Sequence, residues 1–197
     1  MAKSFEKHLD TYAELIMKVG INYKKGSRIR IGALPGRSAR FYTPLEASPL
    51  VQKLVKKAYQ LGAPLVEVFW GDPELDLIRY QHAHKDSFQE LPTWSADEIV
   101  KAADSKDTRI YIGGSDPYLF KDIDSALLSE MQKTRSEAFR EVNEYLVQNP
   151  TPWIILLYPT TAWSQAVFPD LSPEEAVEKM SDFLIKFYRL DKDDPVK

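Results

Sequence analysis

Hydrophobic and polar positions alternate along the chain in two rhythms. Phe5, Leu9, Tyr12, Ala13, Ile16 and Val19 recur every three or four residues over 4–19, which predicts an amphipathic helix, with Gly20 placed to end it in a left-handed turn. After Lys25-Gly26 the rhythm changes. In SRIRIGA, Ile29, Ile31 and Ala33 alternate with Arg28, Arg30 and Gly32, as in a half-buried strand. Ser48 is placed to cap a second helix with Pro49 at its first position, and Leu50, Val51, Leu54, Val55, Ala58 and Leu61 form its apolar face before Gly62. LVEVFW predicts strand two, and a short helix starts near Pro73. Another helix is opened by a capping box of Ser95 and Glu98, and TRIYIGG follows as strand three. A long helical region from about Ile123 to Val147 precedes PWIILLYP, strand four. Ser172-Pro173-Glu174-Glu175 opens the last helix, with Ala176, Val177, Met180, Phe183, Leu184 and Phe187 expected inward.

Strands separated by helices predict an α/β domain with a mainly parallel β-sheet, because each crossover helix returns the chain to start the next strand in the same direction. Continuous apolar runs such as WIILLY predict a sheet with helices on both faces. In such sheets ligands sit beyond the carboxyl ends of the strands, here the segments ALPGRSARFYTP, WGDPELD, GGSDPYLF and PTTAWSQ. The first is long and basic, with Arg37 and Arg40 beside Phe41 and Tyr42, a composition that serves either as a solvated loop or as an anchor for an anion or a peptide carboxylate.

Composition narrows the function classes. The 197 residues suffice for one good-sized domain, and 44% hydrophobic with 28% charged residues is a soluble globular profile. The longest apolar stretch, Trp153 to Tyr158, is far below the ~20 residues of a membrane span, and MAKSFEKHLD lacks the apolar core of a signal peptide, so a cytoplasmic protein without a membrane partner is expected. With no cysteine there is no disulfide, thiolate nucleophile or sulfur-ligated zinc. A net charge of −3 with basic residues scattered among acidic ones argues against nucleic acid.

Each candidate for chemistry has a structural rival. His82 and His84 would converge on a metal if extended, but near a helix end they diverge by ~200°. IYIGGSDP places two glycines after a strand without the spacing that wraps a phosphate, and reads as a strand ending in a turn. Asp72 and Asp116 stand where general bases often do, yet each precedes proline and fits turn or helix entry. Arg135 and Arg140, in a helix with Glu137, Glu141 and Glu144, are explained by pairing along a solvated face. PTTAWSQAVFP carries no acid, base or metal ligand. Trp163 and Phe168 supply rigid apolar area there and Pro159 and Pro169 fix a loop, so the segment either walls a cavity or interdomain contact or completes the core beneath the last helix.

Taken in order, YAELIMKVGINYKKGSRIRI, SPLVQKLVKKAYQLGAPLVEVFWGD, PTTAWSQAVFP, LSPEEAVEKM and FYRLDKDDPVK resemble the N-terminal part of the thermophilic-type metallo-aminopeptidases, the family of aminopeptidase T and aminopeptidase S. The resemblance implies a cytoplasmic, homodimeric exopeptidase that removes N-terminal residues from peptides with two divalent metals, zinc or cobalt. It places the ligands in a C-terminal half, so no catalytic or metal residue and no cofactor is expected in this chain. Residues 1–190 would then be an N-terminal domain that encloses the substrate cavity, and 191–197 the start of a linker. Residues 36–43 are extra relative to the family pattern, and Ser181 replaces a larger apolar side chain. The rival reading is a stand-alone module that binds a small anionic ligand through Arg37, Arg40 and the Gly113-Gly114 turn. A weaker third is an inactive partner that dimerises with a complete enzyme.

Overall fold

Alternation within each short strand decides which face of the sheet is apolar. The computed structural model describes residues 3–32, 42–92, 94, 97–98, 107–148 and 151–195. Among them four strands, β1 (Ile29–Ile31), β2 (Val66–Val68), β3 (Thr108–Gly113) and β4 (Trp153–Leu157), form one parallel sheet in the order β2-β1-β3-β4. The expected α/β class is therefore found. The register sets Ile29 beside Val66, Ile110 beside Ile31 and Ile154, and Ile112 beside Leu156. Ile29, Ile31, Ile110, Ile112 and Leu156 are fully buried on this shared face.

The helices α1 (Lys3–Glu6), α2 (Leu9–Leu15) and α3 (Ser48–Gln60) contribute Phe5, Tyr12, Leu50 and Leu54 to that core. The last helix, Pro173–Phe187, adds Met180 and Leu184. Each such side chain contributes about 1.5–3 kcal/mol of transfer free energy. The opposite face is polar at one end, where Arg30 Nε lies 3.0 Å from both Glu67 and Asp107, and Arg109 donates to Thr151 Oγ1 at 3.0 Å. On β4 that face carries Trp153 and Ile155, 57% and 50% exposed. The WIILLY run is thus buried on alternate residues rather than on both sides, because β4 is an edge strand.

Strand order reverses between β1 and β3, so right-handed crossovers put α3 on one face and α4 (Pro73–His82), α5 (Ser125–Ala138) and α6 (Arg140–Gln148) on the other. A 3-10 turn at Lys85–Gln89 joins α4 and α5 in a second cluster centred on Tyr80, Phe88 and Met131. The remaining elements are α7 (Thr161–Val167) and α8, the Pro173–Phe187 helix. No helix among the described residues is long and apolar enough to cross a membrane.

Several local expectations are corrected. The first helix breaks into α1 and α2 and ends in a π-turn, Ile16–Gly20, and the left-handed residue is Asn22 (φ 43) rather than Gly20. Gly20 lies against β4, where a Cβ would come 2.5 Å from Ile154 Cδ1. Ser48 does not cap α3. It is the first helical residue, preceded by the 3-10 turn Leu45–Ala47. The Ile123–Val147 region is interrupted at buried Phe139. On α8 the capping box forms as expected, but Phe183 and Phe187 are 55% and 64% exposed and stack on each other instead of pointing inward. Ser181 is fully buried in this chain's own core and donates to Val177 O at 2.6 Å. Ser95, and with it the expected Ser95–Glu98 capping box, lies outside the described residues, as does 36–41 of the basic loop.

Candidate functional site: a charged cleft at the strand ends

At the carboxyl ends of β3 and β4 the backbone approaches so closely that only glycine fits. Gly114 has φ 152, and a Cβ there would fall 2.7 Å from Thr160 Cγ2 and 2.8 Å from Tyr158 O. Thr160 Oγ1 donates to Gly114 O and accepts from Trp163 N, so one hydroxyl ties the end of β3 to the start of α7. The PTTAWSQ segment, expected as a loop, is therefore largely helix α7. Across from it, Asp72 Oδ1 accepts from Glu74 N at 3.0 Å and Asp116 Oδ1 from Tyr118 N at 2.8 Å. Both aspartates do the turn and cap work that their Asp-Pro context implies.

Between these elements lies a cleft of about 990 Å³ whose walls include Tyr80, Ser115, Asp116, Lys133, Arg135 and Trp163. It adjoins a smaller cavity of about 270 Å³, with which it shares Pro73, Gly114, Ser115 and Asp116. The smaller cavity is lined by Tyr42 and by the carboxylate residues Glu46, Asp72 and Glu74. The smaller end of the joint cleft is thus acidic, and the larger, where Lys133 and Arg135 outnumber the shared Asp116, is the more basic.

The basic end is built on a pair that crosses between helices. Arg135 Nη2 of α5 lies 3.4 Å from Asp76 Oδ2 of α4, and both side chains are largely buried. Burial pushes the Asp76 carboxyl above the usual carboxylate range, although the Arg135 and Arg79 guanidiniums pull the other way. Burial likewise raises the phenols of Tyr42 and Tyr80. Arg79 donates to the carbonyls of Ser87 and Glu90 and lies over the Phe88 ring. Arg135 is therefore not a solvated-face residue, as its helix neighbours suggested. Its partner stands 59 positions away, beyond the reach of local spacing.

The other anticipated residues are placed as follows. Trp163 is half-buried and lines the cleft. Phe168, also half-buried, packs on the main core with Lys179 Nζ 4.5 Å from its ring centre. Arg37 and Arg40 lie outside the described residues. His82 closes α4 and is exposed, whereas His84 Nδ1 accepts from Asp86 N at 3.4 Å in the next turn. Among the described residues no group of three or more His, Asp or Glu could hold a metal ion, so a two-metal centre does not fit these side chains. Lys133 and Tyr80 give no signal in the sequence and Arg135 reads there as a solvated-face residue, because only the packing of α4 on α5 brings them to one site.

The whole chain has close counterparts. It is 35% identical over 192 residues to aminopeptidase 2 of Geobacillus stearothermophilus, covering 98% of this chain and 44% of that protein. It is 30% identical over 193 residues to aminopeptidase T of Thermus thermophilus, covering 98% and 45%. The solved structure of wild-type AmpT from Thermus thermophilus superposes with a TM-score of 0.79 at 30% identity, over 90% of this chain and 42% of that one. The chain therefore spans less than half the length of the curated relatives it matches. Residues 5–197 match the family described as thermophilic metalloprotease (M29), and the chain belongs to that family.

Proposed function

We propose that residues 1–190 form the N-terminal, non-catalytic domain of a metal-dependent aminopeptidase, that 191–197 begin a linker to the catalytic domain, and that this domain helps to enclose the cavity in which N-terminal residues are hydrolysed from peptides. The observation that carries this reading is the M29 match over 5–197, in which nearly all of this chain aligns with under half of each relative. In this reading the catalytic domain holds two divalent ions, zinc or cobalt, and the complete protein is a cytoplasmic homodimer. Trp163 and Phe168 then serve as cavity wall or interdomain contact, and Arg37 and Arg40 as contacts to an anion or a peptide.

The test is hydrolysis of leucine anilide with added zinc or cobalt. The 197-residue chain alone is expected to be inactive, while a chimera in which it replaces the matched region of aminopeptidase 2 retains hydrolysis. Activity that scales with the isolated chain and survives its repurification overturns the proposal, as does a folded, dimeric chimera without activity.

A further inference from the structure

We infer that the larger cleft is a binding site for the free carboxylate end of a short peptide, held at the Lys133–Arg135 end and lying along the Trp163 wall. The choice of a peptide rests on the proposed function; the choice of a carboxylate rests on the cleft itself. Arg79 and Arg135 both act on the Asp76 carboxylate, and Lys133 and Asp116 also line the cleft, so three cations stand against two carboxylates and one positive charge is in excess. Arg135 lines the cleft from a largely buried position, and its Nε has no acceptor among the described residues. A guanidinium so placed is screened little by salt, and the donors it does not give to Asp76 are of the kind that carboxylates accept. Lys133, two positions before Arg135 and so about 200° around α5 from it, lines the cleft from the helix's other flank and adds a second cation.

The remaining walls fit the rest of a peptide. Phe120, Leu128, Leu157 and Trp163 present apolar surface for side chains, and the volume is that of a small-ligand site. At the far side the residues Glu46, Asp72 and Glu74 of the adjoining cavity repel a carboxylate and so oppose the reversed orientation. The two ends together define a direction: amino end toward the carboxylates, carboxyl end toward Lys133 and Arg135.

The experiment is isothermal titration of the 197-residue chain, without metal, with trileucine and with trileucine amide. The free acid is expected to bind about tenfold tighter than the amide, the ratio set by one buried charge contact. Lys133→Ala should weaken the acid roughly two- to fivefold and leave the amide unchanged. Asp76→Asn, which removes the competing carboxylate, should tighten the acid, a gain that mere disruption of the fold does not give. Arg135→Lys, checked for folding by circular dichroism, should reduce the preference for acid over amide. Equal binding of acid and amide overturns the inference, as does no binding of either at millimolar peptide, or a ratio indifferent to both Lys133→Ala and Asp76→Asn. No hydrolysis is involved. Failure of binding therefore leaves the family-based reading standing, whereas hydrolysis by the isolated chain removes that reading and not this site.

Discussion

Glu46 and Thr161 stand 115 positions apart and are joined twice: the Glu46 carboxylate accepts from the Thr161 backbone N–H at 3.0 Å and from its hydroxyl at 2.9 Å. The pair fastens the segment after β1 to the first residue of α7, where an anion also meets unpaired helix N–H groups. Glu46→Ala should lower stability by about 1 kcal/mol, and Glu46→Gln by less because an acceptor remains. Urea unfolding measures both. Identical midpoints for wild type and Glu46→Ala would show that the pair contributes nothing.

Gly114 controls how closely β3 and β4 end. An alanine there would have to move Thr160 or Tyr158 from contacts under 3 Å and hold a backbone angle that L side chains avoid. Gly114→Ala should cost about 2 kcal/mol or more. Thermal melting decides this, and an unchanged transition would mean that the two strand ends separate freely.

Two carboxylates should titrate in opposite senses. Asp76, raised by burial, holds its proton more tightly folded than unfolded, so its contribution to stability is fully present below the unfolded value near ~4 and is lost as pH rises through the raised folded value. The stability difference between Asp76→Asn and wild type should therefore move in the variant's favour as pH rises toward neutral. Glu14 is lowered by hydrogen bonds from Lys18 and then Lys57, so its contribution is present above the unfolded value and lost as pH falls through the folded one. Glu14→Gln should cost a little at neutral pH, since the site is exposed, and nothing in acid. Urea midpoints across a pH series check both slopes, and parallel slopes for the two variants would contradict the assignment.

On α8 the cost of substitution should follow exposure and not apparent hydrophobicity. Ser181→Phe overpacks the core and should cost about 1–3 kcal/mol, while Ser181→Ala loses only one local hydrogen bond and should stay within about 1 kcal/mol. Phe183→Ser and Phe187→Ser should each change the stability of the chain by less than about 1 kcal/mol. Denaturation followed by circular dichroism ranks the four, and a Phe183→Ser loss exceeding that of Ser181→Phe would show α8 to be rotated from its described orientation.

Features decided by adjacent residues were legible in the sequence. The Ser172–Glu175 capping box, the Pro73 helix start and the β3 alternation all depend on groups within a few positions. The Asp72 and Asp116 turns belong to the same class. What sequence could not supply depends on distant partners. Arg135 looks solvated until α4 brings Asp76 to it, and WIILLY looks doubly buried until β4 is found at the sheet edge. Gly20 looks like a helix stop, whereas its smallness meets Ile154 across 134 positions. Phe183 and Phe187 fit a helical stripe with Leu184, but Ser181 and Ile185 take the buried positions instead. The cleft was foreseen only as a location, beyond the strand ends, because its charges come from helices on separate crossovers.

Two tyrosine hydroxyls sit at the outer margin of the sheet: Tyr12 donates to Leu157 O at 3.0 Å, and Tyr188 accepts from Leu157 N at 3.2 Å. In β4 the even-numbered neighbours Pro152 and Tyr158 direct their backbone groups to β3, so the odd-numbered residues face outward. With Leu157 occupied, an incoming strand meets open backbone on β4, among the described residues, only around Trp153 and Ile155. That stretch is too short to template a stable extra strand, so the hydroxyls act as a terminator that protects the edge against sheet growth from chain to chain.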